Sequence, residues 1–139
     1  MGKISQFEEI EAWQIARRLT NLLYDWSDKG AFSKDFALRD QIRRAAVSVM
    51  SNIAEGFESR ANAMFASYLA RAKASCGEIR AQLYIALDRR YIHQEQFDLA
   101  YGIASRCAGK VHNLMRYLKS QRTTRVQEET PDYPQTLDL

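Results

Sequence analysis

The sequence contains few residues that break helices. Only two prolines occur in 139 residues, Pro131 and Pro134, and the six glycines form no glycine-rich loop. Proline disrupts a helix interior and glycine weakens it, so a chain with no proline before residue 131 favours helix. The absence of a glycine-rich loop also argues against a phosphate-binding loop of the nucleotide-binding type.

Cysteine and histidine are equally scarce, with two of each. There is no CxxC pair, and no Glu is followed three residues later by His, the spacing used by di-metal four-helix proteins. His93 and His112 have no companions at ligand spacing. We therefore expect no metal, no cofactor, no catalytic residues and no enzymatic activity. Cys76 and Cys107 fit helical patterns and are expected to be small core residues without a disulfide.

Long apolar runs are absent as well. No segment approaches the ~18 continuous apolar residues of a membrane-spanning helix. The first residues, MGKISQFEEIEAW, lack the apolar stretch of a signal peptide. We expect a cytoplasmic protein with no membrane partner. A hydrophobic content of 46% and a charged content of 27% suit one globular domain with its own core.

Charge is distributed unevenly along the chain, whose formal net charge is +3. Residues 1–125 hold all 20 Lys and Arg with 13 Asp and Glu, whereas residues 126–139 hold four acidic residues and no basic one. A moderately basic body can contact nucleic acid, but many proteins with this balance bind none. Charge alone therefore leaves both interpretations open.

Hydrophobic periodicity predicts four helices. The first runs from near residue 8 to about Ser27, and the others cover residues 34–55, 61–89 and 94–121. Long helices with short connections favour antiparallel neighbours, so we predict an all-α, up-down-up-down antiparallel four-helix bundle over residues 1–122. Residues 123–139 lose the periodicity, contain both prolines and are predicted to be a flexible acidic tail.

Several residues suggest where these helices begin and end. Ser5 and Glu8 match the spacing of a capping box at the start of the first helix. Gly30 suits the end of that helix, and Ser33 suits the start of the second. The stretch RRAAVSVMSNIAEG predicts that the second helix ends at Gly56.

Each helix has an inward face defined by apolar residues at spacings of three and four. These faces are Ile10, Trp13, Ala16, Leu19 or Thr20, Leu23 and Trp26 on the first helix; Leu38, Ile42, Ala45, Val49 and Ile53 on the second; Phe65, Leu69, Ala72, Cys76, Ile79, Leu83 and Ala86 on the third; and Phe97, Ala100, Ala104, Cys107, Val111, Leu114 and Leu118 on the fourth. The two cysteines are expected at one level of the hairpin made by the third and fourth helices.

Polar residues form a line beside the apolar face of the second helix. They are Gln41, Arg44, Ser48, Asn52 and Glu55, and the third helix has a matching line of Arg71, Ser75, Glu78 and Gln82. Buried polar groups need partners, so we expect cross-helix pairs such as Glu55 with Arg71, and Arg44 with Glu78 or Gln82. We interpret the two lines as a structural polar network that sets helix register. A ligand groove and a seam between subunits are the alternatives.

The second helix is also apolar on its other side. Val47, Met50 and Ala54 lie away from its inward face. A helix that is apolar on two sides is usually packed on two sides. In a small four-helix protein the second partner can be another copy, so we expect self-association.

Residues 41–56, QIRRAAVSVMSNIAEG, resemble the signature Q-x-R-R-A-x-x-S-[IV]-x-x-N-I-A-E-G of the four-helix-bundle proteins called 23S rRNA intervening-sequence proteins. Supporting matches are Trp13-Gln14-Ile15-Ala16, Ser75-x-x-Glu78 and Tyr91-Ile92, and the similarity spans roughly residues 7–120. Departures are Phe32-Ser33, where the family commonly has Phe-Pro, and Ala74-Ser75, where it commonly has Gly-Ser. Neither departure disturbs a bundle.

The resemblance implies a ring-like homopentamer of four-helix bundles. It extends to the accessory proteins of diversity-generating retroelements, which are similar basic pentamers that bind nucleic acid and a reverse transcriptase. Some family members are encoded inside insertions in the large ribosomal RNA gene. The family name therefore records gene position and does not imply binding to ribosomes.

Two functions remain open from the sequence. One is a nucleic-acid-binding accessory protein, RNA or DNA, that is tolerant of sequence because no aromatic-plus-basic RNA-reading motif occurs. Its candidate residues are Arg17, Arg18, Arg39, Arg43, Arg60, Arg89, Arg90, Lys110, Arg116, Lys119 and Arg122. The other is a structural or protein-partner-binding scaffold, in which these arginines and lysines are solvated or paired with local acids.

Overall fold

The computed structural model describes residues 3–121, which form four α-helices. They are α1 (Glu11–Ser27), α2 (Phe36–Glu58), α3 (Asn62–Asp88) and α4 (Gln94–Ser120), and two short 3-10 helices, Phe7–Glu9 and Gly30–Lys34, precede α1 and α2. No strand occurs within residues 3–121. The predicted tail over residues 123–139 lies outside the described residues.

The four helices surround one hydrophobic core. α2 packs on α1 and α3, and α4 packs on α3 and α1, so sequence neighbours are spatial neighbours and the circuit is closed. The connections from α2 to α3 and from α3 to α4 are short, which makes these helices antiparallel. The predicted all-α fold of four helices is confirmed. None of the helices within residues 3–121 is both long and apolar enough to cross a membrane.

The inward faces predicted for α2, α3 and α4 are confirmed residue by residue. Every side chain assigned to them is buried, and the seven assigned to α3 have no exposed surface. Cys76 and Cys107 are buried free thiols that contact each other between α3 and α4. This agrees with the prediction that they lie at one level of the hairpin. The hydrogen bond with Cys76, together with burial, holds the pKa of the Cys107 thiol above its ordinary value.

The face predicted for α1 is only partly right. Trp13 and Trp26 are half-buried, whereas Ala12, Ile15 and Ser27, which periodicity did not single out, are buried. α1 lies between α2 and α4, so its buried arc is centred on small and aliphatic residues. Trp13 is at the edge of that arc, and the ring of Phe7 packs against it edge-on at 5.2 Å between centroids.

The N-terminal cap of the first helical segment is shifted by one residue from the prediction. Glu9, rather than Glu8, accepts hydrogen bonds from the backbone N–H groups of Ser5 (2.7 Å) and Gln6 (3.3 Å). These backbone donors lower the pKa of the Glu9 carboxyl. They cap the 3-10 helix Phe7–Glu9, and α1 itself begins only at Glu11.

Asp35, not Ser33, caps α2. Its Oδ1 accepts a hydrogen bond from Leu38 N–H at 3.1 Å, and its Oδ2 accepts one from the Tyr91 hydroxyl at 2.9 Å. Ser33 instead donates to the carbonyl oxygen of Gly30, inside the second 3-10 helix. The Leu38 N–H and the Tyr91 hydroxyl lower the pKa of Asp35. Because it accepts from both groups, this carboxylate links α2 to the turn between α3 and α4.

α2 does not end at Gly56 as the sequence predicted, but continues to Glu58. Gly56 is needed for packing, because an added Cβ would lie 2.7 Å from Phe65 Cδ1 and 2.8 Å from Tyr68 Cβ on α3. Positive φ values occur at Arg60 (62°) after α2, at Arg90 (63°) after α3, and at Gly30 (57°), which lies three residues after the end of α1 at Ser27.

Candidate functional site

The centre of the polar line joins α2 to α3. The hydroxyl oxygens of Ser48 and Ser75 are 3.0 Å apart, and Asn52 Nδ2 donates to both the carbonyl oxygen (2.8 Å) and Oγ (2.9 Å) of Ser48. These residues form the floor of what we call the α2–α3 groove. A polar contact therefore crosses between the two predicted lines, but it joins two serines and is not one of the pairs that the sequence predicted.

The charged pairs predicted across this groove do not form. Within residues 3–121, Glu55 makes no ion pair with Arg71, and Arg44 makes none with Glu78. These four side chains are exposed at the rim, where water solvates them and little is gained by pairing. The Arg71 guanidinium lies over the Tyr68 ring at 5.0 Å instead.

The other two members of the polar lines differ in depth. Gln41 is exposed, whereas Gln82 is 6% exposed. The Gln82 Nε2 donates weakly to Glu78 on its own helix at 3.5 Å, and its Oε1 accepts no hydrogen bond in the described part of the chain. The predicted partner Arg44 does not reach it.

Two of the basic candidates bind within the chain. Arg43 donates from Nε to Ser27 Oγ at 2.8 Å and its guanidinium stacks over Tyr24 at 4.6 Å, which fastens α2 to α1. Arg39 pairs with Asp40 at 3.0 Å and donates to the carbonyl oxygen of Ser33. Both side chains are half-buried, so they are poorly placed for phosphate contact.

Most of the other basic candidates are exposed. Arg17, Arg18, Arg60, Arg89, Arg90, Arg116 and Lys119 are exposed, Lys110 is half-buried, and Arg122 lies outside the described residues. Arg60 and Arg90 are at opposite ends of α3, Arg89 directly follows α3, and the others lie on α1 and α4. The structure therefore does not gather the candidates into a single patch.

The exposed basic residues of α1 border two adjoining openings in the surface. One, of about 490 Å³, is lined by Glu8, Trp13, Gln14, Arg17, Arg18 and Asn21, and the other, of about 260 Å³, by Glu11, Gln14, Ile15, Arg18, Ile103 and Arg106. We call the outward-facing Gln14, Arg17, Arg18, Asn21 and Arg106 the α1 basic face. Arg106 was not among the candidates from the sequence, and only the packing of α4 on α1 brings it beside Arg18.

Basic side chains outnumber acidic ones around this face, where Arg17, Arg18 and Arg106 lie beside Glu8 and Glu11. Glu11 is paired with Arg106 at 3.0 Å and with Lys110 at 3.5 Å. Arg17 lies over the Trp13 ring at 5.9 Å, and neither Arg17 nor Arg18 has a carboxylate partner within residues 3–121. The face therefore has cationic groups, two neutral amides and an aromatic ring within one surface region.

The side chains that could bind a metal are dispersed in the described part of the chain. No three His, Cys, Asp or Glu side chains lie close enough to hold a metal ion in residues 3–121. His93 caps α4 by accepting from Gln96 N–H at 3.3 Å, and His112 Nδ1 lies 3.1 Å from Lys73 Nζ. Each histidine therefore contacts another group of the same chain.

The family model described as 23S rRNA-intervening sequence protein matches residues 8–125. The chain belongs to this family. The 23S rRNA-intervening sequence family match covers all four helices, the α2–α3 groove and the α1 basic face. No curated protein matches the chain.

A solved structure supports the fold assignment. The crystal structure of a protein of unknown function from the S23 ribosomal protein family of Bacteroides thetaiotaomicron VPI-5482 is similar, with a TM-score of 0.66 and 22% sequence identity. The match covers 79% of this chain and 94% of that one. At this identity the likeness shows a common fold and leaves the function of this family member open.

Proposed function

We propose that this 23S rRNA-intervening sequence protein is a non-enzymatic, ring-like homopentamer of the cytoplasm that binds nucleic acid with little sequence preference. The observation that carries the proposal is the α1 basic face. Arg17 and Arg18 are exposed, have no carboxylate partner in residues 3–121, and border two openings with Gln14 and Asn21. The similarity to retroelement accessory proteins stays a prediction.

The chemistry of this face suits a phosphate backbone. Phosphate contacts need exposed cations and hydrogen-bond donors but little exact geometry. Glu11 adds little repulsion, because Arg106 and Lys110 neutralise it. The Trp13 ring is half-buried, and the Arg17 guanidinium that lies over it at 5.9 Å would have to move before an unpaired base stacked there. One copy presents few cations, so affinity would come from several copies that engage one strand together.

The second candidate is a scaffold that binds a protein partner and no nucleic acid. It is favoured by Arg39 and Arg43, which the chain uses for its own packing, and by exposed apolar side chains such as Phe36, which is 63% exposed. Exposed apolar surface is a property of protein-contact sites rather than of phosphate-contact sites.

Binding to labelled 20-mer RNA and DNA strands separates the two functions. We expect affinity to fall as a power of salt concentration, with a slope of roughly 0.7 for each phosphate contact on a single strand. Arg17→Ala/Arg18→Ala should weaken binding at low salt on the order of tenfold. The matched control is Arg89→Ala/Arg90→Ala, which removes the same charge at the distant end of α3 and should change binding much less.

Each outcome decides something specific. Equal losses in the two double variants would show that net charge, not the α1 basic face, drives binding. No binding by the wild-type protein at low salt would refute the nucleic-acid function and favour the scaffold. Light scattering coupled to size exclusion tests the assembly separately, and five chains of 16.0 kDa are expected.

A further inference from the structure

α3 is apolar on the side that faces away from the core. Its outward side carries Ala63, Ser67, Ala70, Ala74, Gly77, Ala81 and Ile85, at successive spacings of 4, 3, 4, 3, 4 and 4 residues, which we call the α3 outer stripe. All are exposed except the half-buried Gly77, and Ile85 is 48% exposed. The stripe carries no charge along about 33 Å of helix. A helix that buries one face and keeps the opposite face small and uncharged is usually packed on both.

α2 has an outward side with larger side chains. Phe36, Val47, Ser51 and Ala54 form the α2 outer stripe, in which Phe36 is 63% and Val47 41% exposed. Met50, which the sequence placed on the same side, packs partly against the core instead. Asp40 lies on this side as well and is paired with Arg39. The apolar side chains of this stripe left most exposed are therefore Val47 and Phe36, although the Arg39 guanidinium lies over the Phe36 ring at 4.8 Å.

The register between α2 and α3 places the two stripes at matching heights. The Ser48–Ser75 contact and the packing of Gly56 on Phe65 define this antiparallel register. Extending it along both helices puts Val47 level with the stretch between Ala74 and Gly77, the smallest part of the α3 outer stripe. Extended the other way, it puts Phe36 level with Ile85.

Oppositely charged residues at the rim of the α2–α3 groove also lie at similar heights on the two helices. Arg44 lies at the height of Glu78, and Glu55 lies about one helical turn from the height of Arg71, yet neither pair is formed within the described chain. If α3 of one copy lies beside α2 of another with all copies parallel, Glu78 meets an Arg44 and Arg71 meets a Glu55. The charge pattern is thus complementary to a second copy of the same chain.

The direction of the two stripes suits a closed ring. α2 and α3 occupy adjacent corners of the bundle, so their outward directions differ by about 90°. A head-to-tail ring needs about 90° between its two contact directions for four copies and about 108° for five. Small residues on α3 allow the helices to approach at the short end of the usual 8–10 Å range.

We propose that the α3 outer stripe of one copy packs against the α2 outer stripe of the next. This inference rests on the proposed homopentamer and names its subunit contact. Val47 lies against Ala74 and Gly77, Phe36 lies against Ile85, and two charge pairs form on the side facing the ring's centre. The α2–α3 groove lines that centre, whereas the α1 basic face stays on the periphery.

Ala74→Arg tests the contact, because it places a long charged side chain where Val47 should fit. We expect light scattering to show loss of the five-chain species and a mass of one 16.0 kDa chain. Gly102→Arg on α4 is the matched control, since an added Cβ at that position meets no atom within 4 Å, and it should keep the wild-type mass. Circular dichroism of both variants checks that the helices are retained.

A charge-reversal series identifies the partner helix. Arg71→Glu should weaken assembly at least tenfold in concentration, and Glu55→Arg added to it should restore the wild-type mass. Rescue by Glu78→Arg instead would indicate contact between two α3 helices and overturn the proposal. If the wild-type protein is a pentamer and Ala74→Arg leaves its mass unchanged, the proposed contact is wrong but the pentamer stands. If the wild-type protein is a monomer, the proposed assembly is wrong as well.

Discussion

Replacing Gly56 with alanine should destabilise this protein, although alanine is the better helix former. Gly56 lies in the last turn of α2, where its backbone packs against Phe65 and Tyr68 of α3. An alanine Cβ would be 2.7 Å from Phe65 Cδ1 and 2.8 Å from Tyr68 Cβ, both shorter than van der Waals contact. The backbone of one helix would have to move.

The magnitude follows from two opposing terms. Replacing glycine by alanine in a helix interior gains up to about 1 kcal/mol. Overpacking a well-filled core costs typically about 1–3 kcal/mol. The upper part of that range applies, because Phe65 has no exposed surface and packs edge-on against Phe57 at 6.1 Å between centroids. Tyr68 Cβ is bonded to the α3 backbone and cannot rotate away. We expect a net loss of about 1–2 kcal/mol.

Chemical denaturation measures this difference directly. Gly102→Ala is the control, because its Cβ meets no atom within 4 Å and should stabilise α4 by about 0.5–1 kcal/mol. The two substitutions are identical in chemistry and are therefore expected to have opposite signs. If Gly56→Ala stabilised the protein as much as Gly102→Ala, the close approach of α2 and α3 would be wrong.

Three further predictions concern single side chains. Arg90→Gly should stabilise the protein by about 1 kcal/mol in thermal unfolding, because Arg90 is held at φ 63° where glycine is not strained; no gain would mean that the turn relaxes to negative φ. Ser75→Ala should cost about 1 kcal/mol through loss of the contact with Ser48, and a neutral result in denaturant would show that water replaces it. Asp35→Asn should lower stability at neutral pH. Since the folded pKa of Asp35 is depressed, its contribution is present above its unfolded pKa near 3.9 and is lost as pH falls through the lower folded value. The difference between Asp35→Asn and the wild-type protein should therefore shrink in acid, and a constant difference from pH 7 to pH 2 would contradict the assignment.

The sequence predicted the helices and most of the core because helical periodicity is a local property. The buried faces of α2, α3 and α4 follow from spacings of three and four residues, and every residue assigned to them is buried. The α1 face was less accurate, since its two tryptophans are apolar but only half-buried, while Ala12, Ile15 and Ser27 are buried instead. Hydropathy indicates which residues of a helix can be buried, but the packing of the neighbouring helices determines which of them are buried.

The helix ends were predicted less well than the helices themselves. Ser33 and Asp35 are both good caps, and Tyr91, which is 56 residues away from Asp35 in sequence, reinforces the cap at Asp35. Gly56 looked like a terminator, yet the chain uses it for the close contact with Phe65. In both cases a residue outside the helix decided between options that were locally equivalent.

For the candidate site as well, some features follow from the sequence and others from the tertiary structure alone. The sequence determined that polar residues run along facing sides of α2 and α3, that basic residues are numerous, and that the chain resembles the 23S rRNA intervening-sequence proteins. Only the tertiary structure decided that serines bridge the groove while Glu55 and Arg71 stay apart, that Arg43 fastens α2 to Tyr24, and that Arg106 joins Arg18. Periodicity places a residue on a side of its helix, whereas a contact depends on distances of a few ångströms between helices. Those distances are set by packing of the whole core.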